Sequence, residues 1–203
     1  MNPKATIHPN VRLGRNVQIG DHVVIGEPPR GRASGELETV IGDDAIIRSH
    51  TVIYAGNRIG RGFQTGHQVT IREDNEIGDN VSVGTGTVLE HHLRIESGVR
   101  IHSQAFVPEM TTLRSGCWIG PRVCITNARY PLSPNVKNEL MGADVGEHAK
   151  IGANSTLLPG VKIGRNALVG AGTVVTKDVA EDSVVVGNPA RVVNTVRNLP
   201  YRG

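Results

Sequence analysis

An aliphatic side chain returns on every sixth residue for most of this chain. From Ile41 the series runs through Ile47, Ile53, Ile59, Thr65, Ile71, Ile77, Val83, Leu89, Ile95, Ile101, Val107, Leu113 and Ile119 to Ile125 without a change of phase. Thr65 is its one non-aliphatic member. An earlier run holds Ile7, Leu13, Ile19 and Ile25, and a later one holds Val145, Ile151, Leu157, Ile163, Val169 and Val175. Apolar residues of all kinds make up 38% of the sequence, too few for such a series to arise by chance. A period of six matches neither a helix, at about 3.6 residues per turn, nor the alternation of a half-buried strand. It is the pattern of a parallel β-helix, in which each six-residue unit supplies one short strand and one turn.

The residues between the aliphatics agree. Glycine often follows directly, as at Gly14, Gly42, Gly60, Gly78 and Gly164. Two or three places on lie Asn, Asp or Gly, which tolerate the left-handed backbone of a tight corner. Four places on comes a small or β-branched residue such as Ala45, Thr51, Val69, Thr87 or Ala149. Positions i and i+4 therefore point inward, large beside small. Three units close a triangular coil, so residues 18 apart, such as Ile71 and Leu89, stack at one strand spacing of roughly 4.8 Å. Asn57 and Asn75 are such a pair and are expected to form an inward amide ladder. The expected fold is all-β, a triangular prism of about eight coils.

The phase breaks twice, after Ile25 and after Ile125, leaving insertions over about 27–38 and 126–144 that depart from the same corner. Residues 1–191 read as one β-helix domain and 192–203 as a short irregular tail. Loops on a regular scaffold are where function concentrates. A net charge of 22 − 19 = +3 is too mild for a nucleic-acid binder. No apolar stretch is long enough to span a membrane, and the first residues lack a signal-peptide core, so a soluble cytoplasmic protein is expected. Cys117 falls on an inward i+4 place and Cys124 points outward, which gives no disulfide or metal pattern.

Two outward columns carry the functional candidates. One reads Arg48, Gly66, Gly84, His102, Gly120, Gly152, Gly170, and is either a packing face or a slot for an extended ligand; His102 projects from it. The other, on the corner where the long insertion leaves, reads Glu73, His91, Glu109, Asn127. It is either one wall of a sugar pocket or a solvated polar corner.

The C-terminal stretch Ile151-Gly152-Ala153-Asn154, Leu158-Pro159-Gly160, Val169-Gly170-Ala171-Gly172-Thr173 and Val186-Gly187-Asn188-Pro189-Ala190-Arg191 resembles the left-handed β-helix hexapeptide acyltransferases. Thr126-Asn127 followed by Tyr130-Pro131, with His67 to Glu73, is similar to the branch that acylates nucleotide-linked amino-sugars. The resemblance implies a left-handed prism, a homotrimer with sites between neighbouring prisms, and acetyl-CoA as co-substrate. It places the pantetheine arm against Gly152, Ala153, Ala171 and Gly172, the channel at Pro189 and Ala190, and the phosphates near Lys177 and Arg191. It makes Asn127 the contact to the acceptor amine; Glu73, His91 and Glu109 of the stacked corner, with His67 and Tyr130, are the substrate-binding candidates.

The reaction so implied is direct attack of a neutral amine on a thioester. His102 is the first candidate base, His67 and His91 are in reserve, and the departing thiolate is an alternative proton acceptor. A hydroxyl acceptor or an amino-acid-pathway amine such as tetrahydrodipicolinate stays open, as does a non-catalytic scaffold. No metal is expected. The zinc enzymes built on this prism, the γ-type carbonic anhydrases, need two histidines five residues apart, and no such pair occurs here.

Overall fold

The computed structural model describes residues 2–200. Two-residue strands such as Thr70–Ile71, Glu76–Ile77 and Ser82–Val83 follow one another around a triangular coil. Their stacking builds three sheets of nine, eight and ten strands. The first runs from Thr6–Ile7 to Val174–Val175, the second from Val11–Leu13 to Lys162–Ile163, the third from Gln18–Ile19 to Arg191–Thr195. Each coil sits in register on the next: Ile71 pairs with Leu89 and Ile77 with Ile95, all parallel. The fold is the left-handed parallel β-helix. Among the described residues, the only helical segments are the single turns Val136–Asn138 and Val196–Asn198.

Both insertions loop out without disturbing the stack. Val24 still pairs with Val52 and Cys124 with Thr156, and both loops leave the first sheet for the second. Inside, the i and i+4 places are buried as the pattern requires: Ile71 with Asn75, Ile77 with Val81, Leu89 with Leu93, Ile163 with Ala167. Phe63 and Leu93 show that the i+4 place also accepts large side chains where neighbours leave room. Each buried Ile or Leu contributes about 1.5–3 kcal/mol relative to exposure. Thr65 stands in for an aliphatic because its Oγ1 accepts the Arg48 N–H at 3.0 Å. Cys117 is fully buried, and burial pushes its thiol up to about 12, so it is a core residue and no nucleophile.

The corner residue is always the third after the aliphatic. Asn16, Asp44 and Asn80 hold positive φ there, but so do His22, Gln68, Met110 and Arg122. Each such residue costs roughly 1–2 kcal/mol in isolation; the repeating hydrogen-bond stack offsets it.

One expectation needs correction. The tail is not irregular: Arg191–Thr195 returns antiparallel on Ser183–Val186 and extends the third sheet, and Val196 behind it is buried. Arg202 lies outside the described residues. The glycines of the His102 column are not peculiar to it. A Cβ at Gly66, Gly84 or Gly120 would meet the backbone of the next coil at 2.4, 2.3 or 2.7 Å, and the same crowding occurs at Gly42 in the second sheet, at 2.6 Å. Glycine follows the aliphatic because coils approach closely there. The face that differs is the first sheet, whose outward strand residues include Val24, Val52, Thr70, Val88, Phe106, Thr156 and Val174, with no charge among them. The second sheet shows Arg12, Arg58, Glu76, Arg94, Asp144 and Lys162 in the same places.

Candidate functional site

The edge between the first and second sheets gathers the polar row. After each aliphatic of the first sheet, two residues leave the strand outward before the backbone turns. Successive coils therefore stack Tyr54, then Arg72 and Glu73, then Glu90 and His91, then Glu109, then Asn127. Beneath the row, the amide ladder forms through backbone groups. Asn57 donates to the Arg72 carbonyl (2.7 Å) and accepts from the Asn75 N–H (3.1 Å), and Asn75 accepts from the Leu93 N–H (2.7 Å). The ladder pins the corner from which the row projects.

The side chains form one connected network. Arg72 grips Glu73 with two hydrogen bonds, at 2.8 and 2.9 Å, reaches Glu90 at 3.5 Å, and lies 5.1 Å from the centre of the Tyr54 ring. Burial alone would raise the Glu73 carboxyl. The hydrogen bonds from Arg72, a backbone hydrogen bond and the charge of Arg72 overcome it and hold Glu73 below the usual carboxylate range. His91 Nε2 lies 3.1 Å from Glu109 Oε1, and His91 Nδ1 lies 2.7 Å from His92 Nδ1. Asn127 Nδ2 donates to the other oxygen, Glu109 Oε2. The structure thus joins His91, Glu109 and Asn127 directly, and Glu73 to Glu90 in the same row through Arg72. Sequence reasoning passed over Arg72, Glu90 and His92, although Tyr54, Arg72 and Glu90 are themselves spaced by one coil.

Glu90, His91 and Glu109 each place one ligand atom within 4.8 Å of the others, the single such group among the described residues. Arg72 beside Glu90 opposes a dication there, and both ring nitrogens of His91 are engaged. That engagement also leaves His91 no lone pair for a substrate.

The remaining candidates lie elsewhere. Tyr130 is exposed and helps line a shallow pocket of about 280 Å³ with Arg129, Val136, Leu140 and Met141 inside the long loop. The loop is tied to the row where the Met141 N–H donates to the Asn127 carbonyl at 2.9 Å. His102 and His67 sit across the first sheet, on its edge with the third. His67 Nδ1 pairs with the Ser49 hydroxyl at 2.8 Å. His102 stacks on Trp118, ring centres 4.6 Å apart, and its Nε2 is buried without a partner in this chain. Burial and the charge of Arg100 lower its pKa, which favours the neutral ring.

Gly152, Ala153, Ala171 and Gly172 occupy the same edge as His102. Elsewhere the second residue after the aliphatic caps the N–H one coil back: Asp43 caps Arg15, Asp79 caps Arg61, and Thr85 caps His67. Ala171 has no oxygen with which to cap Ala153, and both alanines keep a free N–H beside a minimal side chain. Pro189 and Ala190 cross the end of the first sheet, where the Ala190 N–H donates to the Val174 carbonyl at 2.9 Å, with Arg191 exposed beyond. Lys177 follows Val175 on the Asn127 edge instead.

Comparison with known proteins shows what the chain is similar to. The family model described as bacterial transferase hexapeptide (six repeats) matches residues 142–177. The galactoside O-acetyltransferase of Lactococcus lactis is 30% identical over 131 residues, 62% of this chain and 59% of that protein. The bifunctional protein GlmU of Listeria welshimeri is 30% identical over 203 residues, 91% of this chain and 40% of that protein. The chain thus spans less than two thirds of either relative. Among solved structures, the UDP-N-acetylglucosamine acyltransferase of Bacteroides fragilis superimposes with a TM-score of 0.55 at 18% identity, over all of this chain and 79% of that one. The matched segment is two full coils of a stack that repeats one six-residue chemistry from end to end, and over it the chain is similar to the bacterial transferase hexapeptide repeats.

Proposed function

We propose that this chain is an acyl-CoA-dependent N-acyltransferase. It transfers acetyl from acetyl-CoA to the amino group of a nucleotide-linked amino-sugar, by direct attack in a ternary complex. The observation that carries this reading is the Asn127 carboxamide, held at the mouth of the long loop at the end of a row of charged and hydrogen-bonding groups. Its free Oδ1 can accept an N–H from an attacking amine without taking the amine's lone pair. Relatives named as acetyltransferases support the reaction class.

The donor's place follows from the opposite edge. The open N–H groups of Ala153 and Ala171, one coil apart and beside small side chains, fit an extended arm bearing spaced amide carbonyls. Bound there, the thioester supplies the activated acyl carbon. His102, half-buried and biased to the neutral ring, is the first candidate on that edge to take a proton, with His67 beside it. Arg191 suits a phosphate at the far end.

A homotrimer completes the site. The uncharged first sheet lies between the two edges, and burying it against other copies removes Val52, Val88 and Phe106 from water. A cytoplasmic location belongs to the same reading. The O-acetyltransferase among the relatives favours a second reading, transfer to a sugar hydroxyl.

One assay separates them. The purified chain is incubated with acetyl-CoA and paired acceptors, nucleotide-linked sugars carrying either an amine or a hydroxyl at the same carbon, and free thiol is followed. Thiol release with the amines alone supports the proposal. Release with the hydroxyl partners alone replaces N- by O-acylation, and no release with either overturns both.

A further inference from the structure

We infer that Glu109 is a positioning residue: it fixes the Asn127 carboxamide with Oδ1 toward the acceptor, and is itself locked by His91 and His92. The inference rests on the acyltransfer reading of this edge.

The argument turns on what each group can donate. A carboxylate only accepts, so the Asn127 group facing Glu109 Oε2 must be Nδ2, as the structure has it. The carboxamide is then fixed about its last torsion, with Oδ1 turned the other way. Without Glu109 the amide can turn over. Nδ2 would then donate to the acceptor amine and occupy the lone pair that must attack the thioester. Which way the amide faces therefore decides whether the bound amine is nucleophilic.

Glu109 is held in turn. Its other oxygen lies 3.1 Å from His91 Nε2, so that nitrogen carries the proton, and His91 Nδ1 then accepts from His92 Nδ1 at 2.7 Å. His92 stands on a corner with φ +56°, where the rigid coil sets its direction. Hydrogen bonds thus converge on Glu109 from both sides, from His92 through His91 and from Asn127. Arg72 is committed to Glu73 and Glu90 and gives no competing contact.

Kinetics of Glu109→Ala, Glu109→Gln, Asn127→Ala and the Glu109→Ala/Asn127→Ala double variant test this, with melting as the fold control. Glu109→Ala should lower kcat on the amino-sugar on the order of 10²-fold, the scale of a misplaced reacting group, and leave the acetyl-CoA KM unchanged. Glu109→Gln should recover most of the loss, because its carbonyl still accepts from Asn127 while both histidines exchange tautomers. In the Asn127→Ala background the Glu109→Ala change should add nothing. Additive losses in the double variant, or Gln no better than Ala, overturn the inference.

If the wild-type chain acylates no amino-sugar, the acyltransfer reading has failed, and the Asn127 side-chain amide resonances still decide the orientation. Their protons should shift upfield in Glu109→Ala and stay in place in Glu109→Gln. Unchanged resonances in Glu109→Ala would refute the lock itself.

Discussion

Replacing Asn75 by alanine tests whether the inward amide ladder carries the corner beneath the site. The change removes the acceptor of the buried Leu93 N–H, while the Arg72 carbonyl keeps its bond from Asn57 at 2.7 Å. One orphaned buried donor costs about 1–3 kcal/mol. The void left by the carboxamide adds roughly 1 kcal/mol if the neighbours do not collapse. The sum, about 2–4 kcal/mol, corresponds to a fall in Tm of roughly 5–15 °C for a chain of this size. Asn57→Ala should cost more, since it strips both the Asn75 N–H and the Tyr54 carbonyl of their partners. Asn75→Leu refills the space but leaves the donor bare, and should fall between wild type and Asn75→Ala. Thermal melts at fixed protein concentration, with Arg94→Ala as the exposed control, give the comparison. Asn75→Ala within about 0.5 kcal/mol of that control, or Asn57→Ala milder than Asn75→Ala, would refute the ladder's role.

Two further outcomes are expected. Burial and Arg100 depress the His102 pKa below its ordinary 6.5, so the stability it contributes is full above that value and lost as pH falls through the folded-state value. Denaturant titrations between pH 7.5 and pH 5, as approximate bounds around the histidine range, should show a decline that His102→Gln flattens; an unchanged slope counts against the half-buried neutral ring. Phe106 is 39% exposed at the centre of the uncharged first sheet, so Phe106→Arg should turn a trimer into monomers by light scattering without altering the monomer's circular dichroism. A monomeric wild type at micromolar concentration removes the shared-site proposal altogether.

How far the sequence reached can be seen residue by residue. The six-residue period places Ile71 and Asn75 inside and Glu109 and Asn127 on one edge, because the coil repeats rigidly and spacing alone then fixes direction. The insertions are legible for the same reason, since a phase break must be looped out. The pairing inside the row is not. That His91 bonds Glu109 and His92, while Arg72 takes Glu73, depends on side-chain torsions that a column of letters does not carry. His22, Gln68 and Arg122 hold left-handed corners by tertiary support against their own preference. The return strand Arg191–Thr195 escapes notice because an antiparallel pairing across a turn has no six-residue period to betray it.

Geometry then constrains how one site can form from two edges. Within one chain, the Asn127 edge and the edge of Ala153 and Ala171 are separated by the whole first sheet. A prism that turns this sheet toward a threefold axis gives one flanking edge to each neighbour, so the Asn127 edge of one copy meets the Ala171 edge of the next. Subunit mixing tests this directly. Asn127→Ala spoils only the acceptor edge, and Ala171→Trp fills only the donor edge. Co-refolding the two impaired variants in equal amounts places an intact Asn127 edge against an intact Ala171 edge in about one quarter of the sites, the product of two even choices at a head-to-tail contact. Recovery near that fraction requires the site to be shared between chains. If mixed trimers form and activity stays at the level of the separate variants, both edges serve a site within one chain, and the first sheet is not the interface.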